Sequence, residues 1–407
     1  MRRAGIISLY DFSGGEASKF PITAMPPKYS LLLQNFHVNE RGSIAKIPGY
    51  ERVNSISCGV ALSSGFEFKR ADGVSMILAA GEGRIFRLSA GNLTEIRSGL
   101  NTGAKVYFAA MNNICIMCNG VDAPLRYDGT TVSALGGTPP ATSFKPHVHR
   151  GRVWMLERTN KMLATHSSLS NPEDYTSAGN AGFIDFRHVL RKGDELLDIF
   201  TYVNMLVFLF RNHIAIYSGA TPSGSNSDFR MEQLIEGAGV VATDTLQGLG
   251  TDCAFLYDSG VKSLRQVIAT GSLNLHDLSE FINAILIKET KTAGIFSSAH
   301  YPKLGWYLIK IGATVFIYSY IQKAWSRMVG ADVNGMFTTT DGKLYLCGNG
   351  FLYEYDRGWT FAGTNPISKW NHAWINLAKA GNKVDPKTLE IAVQPHADTT
   401  MDFSYSY

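Results

Sequence analysis

The sequence predicts an all-β fold: an irregular β-propeller of about six or seven blades with additional β segments at its ends. Three observations predict it. Short apolar strands separated by Gly, Asn and Asp turns fill most of the chain. They recur as meanders, an apolar strand and a tight turn followed by a shorter strand that often carries Tyr or Phe. The meanders also repeat. With the middle of each second strand as marker (Ile85, Leu125, Met162, Ile216, Leu264, Ile317 and Leu352), the steps run from 35 to 54 residues. Four-stranded blades repeat at roughly 40–50 residues. A stack of β-sandwiches also spaces its strands at about 8–12 residues, but a meander repeated along the whole chain favours the propeller.

Composition bounds the reading. The chain has 407 residues, 45% of them hydrophobic and 18% charged, the balance of a folded globular protein. Its 40 glycines supply many turns, and its 22 Phe and 18 Tyr favour strands. A net charge of +4 is too small to argue for nucleic-acid binding by itself. The five cysteines, Cys58, Cys115, Cys118, Cys253 and Cys347, are scattered and odd in number. No disulfide framework is expected, and production in a cytoplasm with reduced thiols is the simpler reading. The opening "MRRAGIISLYDFSGG" lacks the apolar core of a secretory signal. "MLVFLF", Met205 to Phe210, is far too short to span a bilayer, so a soluble protein without membrane insertion is expected.

The elements follow in order. Residues 1–62 read as an N-terminal arm, with Ser43 to Ile47 as the candidate strand that closes the ring and removes a bare edge. Residues 63–363 read as the propeller. Meanders run from Ser75 to Ile96, Asn113 to Leu135, Met205 to Gly219, Cys253 to Val267 and Lys343 to Gly363, with a fainter copy at Arg152 to Ser168. The clearest lies at Leu304 to Met328: strands Trp306 to Lys310, Val315 to Tyr320 and Ala324 to Met328, joined by turns at Gly312 and Gln322-Lys323. Runs such as Val203 to Phe210 are apolar throughout, as in a blade covered on both faces. Helical periodicity is confined to Leu275 to Lys291, a short helix near 277–291. There Leu278, Phe281, Ile282, Ile285 and Leu286 share one face and Asp277 or Ser279 could cap the start. Residues 364–407 read as a C-terminal β segment. Its last stretch alternates like a strand up to Tyr407, where the chain either pairs or continues.

Sites for chemistry are sparse. Cys115 and Cys118 have the spacing of half a zinc site, but no second pair exists, and on a strand an odd offset points them to opposite faces. His147 and His149 could face one way on a strand. They lack a third ligand, Lys145 and Arg150 beside them disfavour a cation, and a loop is the simpler place for them. "TTDGKLYL" at Thr339 lacks the spacing and the Trp of a sialidase box. "DELLD" at Asp194 reads as a solvated turn rather than half of a glycosidase pair. "GEGRIF" at Gly81 reads as a hairpin turn rather than a phosphate loop. The aromatics of "VFIYSYIQKAW" sit at strand spacing, as packing residues do. No catalytic, cofactor-binding or metal-binding residue is therefore assigned, no cofactor is expected, and the chain is read as a non-enzymatic scaffold for contacts.

One stretch carries a resemblance. Asp11 to Tyr50 contains Gly14-Gly15, then Leu33-Gln34-Asn35, Gly42-Ser43-Ile44 and Pro48-Gly49. It resembles the N-terminal segment of bacteriophage tail proteins, in which a Gly-Gly turn precedes Leu-x-Asn, Gly-x-Leu/Ile and a basic-Pro-Gly element. Ile47 stands where those proteins carry an arginine, with Lys46 one place earlier. "SSLSNPEDYTSAG", Ser167 to Gly179, is similar to their Ser…Pro-Glu-Asp-aromatic segment, and "DLSEFINAIL", Asp277 to Leu286, to a short helix between their blades. The best-fitting version is the tail-tube nozzle, or tail hub, of a short-tailed phage. The resemblance implies a virion structural protein located in the phage tail and made in the host bacterial cytoplasm. It implies a homo-oligomeric ring, a hexamer, below the portal and the head-to-tail adaptor, with tail spikes, fibres or a needle attached. Genomic DNA would pass through with transient, non-specific contact. The competing expectations are a propeller hydrolase or lyase acting on polysaccharide, with a carboxylate-rich pocket at one end of the axis, and a monomeric interaction or adhesin module.

Overall fold

A computed structural model describes residues 9–190, 194–250, 252–264 and 277–372. Seven antiparallel sheets follow one another along the chain, at 64–97, 107–134, 143–185, 196–236, 247–263, 296–328 and 335–355. The fifth has three strands. The other six are four-stranded blades, the last completed by Tyr50–Arg52 from the N-terminal arm. The first strand of every sheet lines a common axis. The architecture is the irregular propeller expected.

Strand periodicity explains the packing. Side chains along a strand alternate between faces, and here each face meets a different neighbour. Cys115 and Met117 pack toward the first blade with Phe68, Leu78 and Ile85. Ile116 and Cys118, on the same strand, pack toward the third with Val153 and Met155. Leu206, Phe208 and Phe210 face the third blade, while Val207 and Leu209 face the fifth. That is why "MLVFLF" is apolar at every position: a blade between two others has no solvent face. Similar clusters join the remaining neighbours and return from the seventh blade to the first through Phe337, Tyr345, Ala79 and Phe86. Each fully buried Leu or Phe contributes about 1.5–3 kcal/mol of transfer free energy, so stability is spread around the ring.

The meander at 304–328 is confirmed nearly to the residue, with strands Trp306–Ile311, Thr314–Ser319 and Ala324–Met328. Its turns hold Gly312 at φ +61° and Lys323 at φ +55°, the positive values that tight hairpins require. "GEGRIF" is a hairpin turn, with Glu82 and Gly83 between Ser75–Gly81 and Arg84–Ser89.

Two expectations are corrected. Ser43 to Ile47 does not close the ring: Ile44–Lys46 forms a separate hairpin with Phe36–Val38, its turn held by Asn39 Oδ1, which accepts from the amides of Arg41 and Ser43. The closing strand is Tyr50–Arg52, paired with Leu352–Tyr355. It can lie there because Gly49 passes against the backbone of Thr360. A Cβ on Gly49 would stand 2.3 Å from the Thr360 carbonyl oxygen. The helix, α1, spans Asn283–Thr292, with no side-chain cap. Ser279 Oγ instead accepts from the Val261 amide and donates to Asn283. Of the apolar face, Ile282 and Leu286 are buried against the fifth and sixth sheets, with Leu278 and Ile285 packed beside them.

The arm then enlarges the sixth blade. Gly15–Glu16 lies parallel to Trp325 on one side and to Tyr29–Gln34 on the other. Lys369–His372 adds antiparallel to Tyr29–Gln34, making a seven-stranded sheet. The stretch expected as a strand near Tyr407 lies outside the described residues.

Candidate functional site

Among the described residues, polar, buried side chains gather at the propeller axis and at the seam where the arm meets the sixth blade.

The axis holds a cavity of ≈ 390 Å³ lined by all seven first strands. On one arc Lys105, Lys145, Asp198 and Asp244 form a continuous ion-pair network. Lys105 Nζ lies 2.8 Å from Asp244 Oδ2, and Lys145 Nζ lies 2.7 Å from Asp244 Oδ1 and 3.1 Å from Asp198 Oδ2. Local irregularities aim these groups. The first strand of the third blade, Ser143–His149, bulges between Phe144 and His147, leaving Lys145 at φ +48°. The first strand of the fourth blade, Leu196–Tyr202, shifts register between Leu196 and Asp198. A bulge bends its strand and re-aims a side chain, and here the two point at each other. Asp244 sits at φ +66° on the turn before the fifth sheet, and its amide donates to Asp198 Oδ2 at 3.3 Å.

The electrostatics follow from this wiring. Burial opposes the charge on Asp244, yet the two lysines outweigh it and hold its carboxyl below the usual range. Burial likewise opposes the charge on Lys145, but Asp198 and Asp244 raise its pKa. Burial is the largest influence on Asp198 and, with the like charge of Asp244, outweighs the shared lysine and the Ile199 amide, so its pKa rises. The two carboxylates share one ammonium rather than flanking an open gap, as glycoside hydrolysis requires.

His147 and His149 lie on the strand Ser143–His149, not in a loop. His147 Nε2 and His149 Nδ1 both meet Thr201 Oγ1, at 2.8 and 2.9 Å. Burial pushes both imidazoles down to about 4. Among the described residues no group of three His, Cys, Asp or Glu could hold a metal ion. Cys115 and Cys118 are buried on opposite faces, and burial pushes both thiols up.

"DELLD" is not a solvated turn. Asp194 and Asp198 are both buried, the first accepting from the Asn212 amide and His213 Nδ1, the second in the axial network. The signal available was Asp198 itself, one carboxylate inside the apolar run Leu196 to Phe200, because a buried charge needs a partner. Nothing local marked Lys105 or Asp244 as that partner's neighbours. Thr339 is in a hairpin turn, its hydroxyl against Asp341.

At the seam, Glu16 is 3% exposed and accepts from Arg327 Nε at 3.0 Å and the Leu33 amide at 3.2 Å. Asn35, fully buried at φ +56°, donates to the carbonyls of Val329 and Ile367 and accepts from the Val329 amide. Gly15 is at φ +64°, where a Cβ would stand 2.7 Å from the Trp325 carbonyl oxygen. The arm also meets the segment Asp277 to Leu286. The Ser18 amide donates to the Phe281 carbonyl at 2.7 Å, and the rings of Phe20 and Tyr29 pack on Phe281 at 5.8 and 5.0 Å. The Ser167 to Gly179 segment ties two blades: Glu173 pairs with Arg126 of the second at 2.7 Å, and Asp174 accepts from the amides of Thr176 and Ser177.

The sequence matches no protein-family profile and none of the curated proteins. Its fold has solved relatives. The WD40 β-propeller domain of Doa1 is 11% identical at a TM-score of 0.52, over 76% of this chain and 97% of that one. The extracellular domain of BT4673 from B. thetaiotaomicron is 12% identical at a TM-score of 0.54, over 76% of this chain. The chain spans 40% of that domain. At such identities the likeness establishes the β-propeller and nothing further.

Proposed function

We propose that this chain is a structural subunit of a virion, the tail-tube nozzle or tail hub of a short-tailed phage. It would assemble as a ring, a hexamer in the best-fitting form, below the portal and adaptor, and would carry spikes, fibres or a needle. The observation that carries the reading is where the resembling residues fall. Gly15, Asn35 and Gly49 are the points at which the arm docks on the propeller. The arm also packs directly on Phe281 of the second resembling segment. Motifs conserved in a structural role would sit at such joints, where backbones approach closely and no other residue fits.

The axis supports the same assignment in a specific way. Its open space is only ≈ 390 Å³ and is crossed on one arc by ion pairs between blades, too small for a duplex, so a DNA lumen would form between subunits and not through a single propeller. A ring needs two complementary faces, because its contacts run head to tail. The segment after the propeller supplies one candidate: Trp370, on the edge strand of the enlarged sheet, is 36% exposed, and Ile367 just before that strand is 70% exposed. Native mass spectrometry with negative-stain imaging tests the proposal. A six-fold ring is the expected result. A chain that stays monomeric both alone and with its adaptor would refute it and move weight to an interaction module.

A further inference from the structure

The fifth sheet, three-stranded among the described residues, carries a polar cluster at its outer edge, away from the axial network. Its last strand, Gly260–Ser263, is flanked by the segment that leads into α1. The Leu278 amide donates to the Val261 carbonyl at 3.1 Å, and the Val261 amide donates to Ser279 Oγ at 2.7 Å. This pairing sets Lys262 against Asp277, with only 4% of the lysine side chain exposed. The Asp277 carboxylate then holds two groups. Its Oδ1 contacts Lys262 Nζ, and its Oδ2 accepts from Asn283 Nδ2 at 3.0 Å. The Asn283 carbonyl in turn accepts from the fully buried Ser279 hydroxyl at 2.5 Å. The carboxamide lies on the strand face that Lys262 occupies. Gly260 is two residues from Lys262 and so shares its face, and a Cβ on Gly260 would stand 2.8 Å from Asn283 Cγ.

From this arrangement we infer that Lys262 and Asn283 join in an intramolecular isopeptide bond, with Asp277 as the proton carrier. The steps balance without a co-reactant. Lys262 Nζ passes one proton to the Asp277 carboxylate that it touches and becomes a nucleophile. The amine attacks Asn283 Cγ, and the charge that develops on Oδ1 is stabilised by the Ser279 hydroxyl. Asp277 gives its proton to Nδ2, to which it is already hydrogen-bonded, and the Cγ–Nδ2 bond breaks. The departing ammonia takes the second proton from the new amide nitrogen and leaves as ammonium. In sum, one ammonium and one carboxamide give a secondary amide and an ammonium ion, and nothing is oxidised or reduced. One carboxylate holding both reactants makes the attack intramolecular. The bond closes a covalent loop from 262 to 283 and fastens α1 to the edge of the sheet. A cross-link of this kind stabilises chiefly by restricting the unfolded chain. The inference is independent of the virion assignment.

The test is the mass of the purified full chain, measured after denaturation. The expected mass lies one ammonia below that of the sequence. A tryptic digest should yield a branched peptide that joins Lys262 to Asn283 and is uncut at Lys262. Lys262→Arg replaces the amine with a guanidinium that stays protonated, and Asp277→Asn removes the proton carrier. Both should show their full sequence masses and melt below the parent, with circular dichroism confirming that each is folded. The proposal is overturned if the folded parent keeps its full sequence mass after incubation at neutral and mildly alkaline pH. It is equally overturned if the missing mass is one water, the mark of a bond from Lys262 to Asp277, or if the missing ammonia maps to another residue. A folded Asp277→Asn chain that links as the parent does also overturns it.

Discussion

Lowering the pH from 7 to 5 should destabilise this protein severely, and the effect should originate in its third blade. His147, His149 and His166 all belong to that blade. Burial pushes each imidazole down to about 4, aided by neighbouring charge from Lys145, Arg150 and Arg152 respectively. For a group depressed on folding, the unfolded chain binds the proton first. The stabilisation is therefore complete above the unfolded value of about 6.5 and is lost as pH falls toward 4. Between pH 7 and 5 the linkage amounts to about 1.8 kcal/mol per histidine, or about 5.5 kcal/mol for the three. That is a large part of the roughly 5–15 kcal/mol of a typical domain. Asp198 acts in the opposite sense: its carboxyl is raised on folding, so acid relieves some of its cost. Urea unfolding at the two pH values, followed by circular dichroism, measures the sum. His166→Phe separates one term, because His166 is fully buried with its ring 4.7 Å from that of Trp154 and a phenyl ring retains that packing. The variant should lose about 2 kcal/mol less than the parent over the same interval. Identical pH dependence in parent and variant, or imidazole Cε1–H resonances titrating near 6.5, would refute the reasoning.

Three further outcomes are expected. Asp244→Asn leaves Lys105 unpaired and Lys145 with Asp198 alone. It should cost about 3 kcal/mol, the low end for a broken buried pair because both lysines keep some contact with water, read as a lower urea midpoint at unchanged slope. Asn35→Ala removes three hydrogen bonds and places a Cβ-bearing residue without local side-chain bonds at φ +56°. A loss of about 3 kcal/mol in the same assay is expected, against no change if the arm is loosely docked. Deleting residues 1–48 spares the closing strand Tyr50–Arg52 and should leave a folded propeller with a lowered melting temperature. Deleting through Val53 exposes the edge of the seventh blade and should abolish the cooperative melt. Equal behaviour of the two deletions would contradict the closure described.

How much was legible depended on range. The meander at 304–328 was readable because each strand announces itself within six residues and each turn within two. The opposite facing of Cys115 and Cys118 was equally legible, since a strand has period two. The closing strand was misplaced by a few residues. Ser43 to Ile47 and Tyr50 to Arg52 are both strand-like, and what separates them is the fit of Gly49 against Thr360, more than 300 residues away in sequence. Asp198 was misjudged for the same kind of reason. A carboxylate in "DELLD" looks solvated until Lys145, aimed by a bulge, is placed beside it.

Strand pattern and turn chemistry, which act between neighbouring residues, determined from sequence alone that this chain is a ring of meanders. Tertiary structure alone decided which strand closes that ring and which charges meet on its axis. Hydrophobic alternation sets the two faces of each blade, but a close backbone approach or a buried ion pair exists only once distant segments have been brought within a few ångströms.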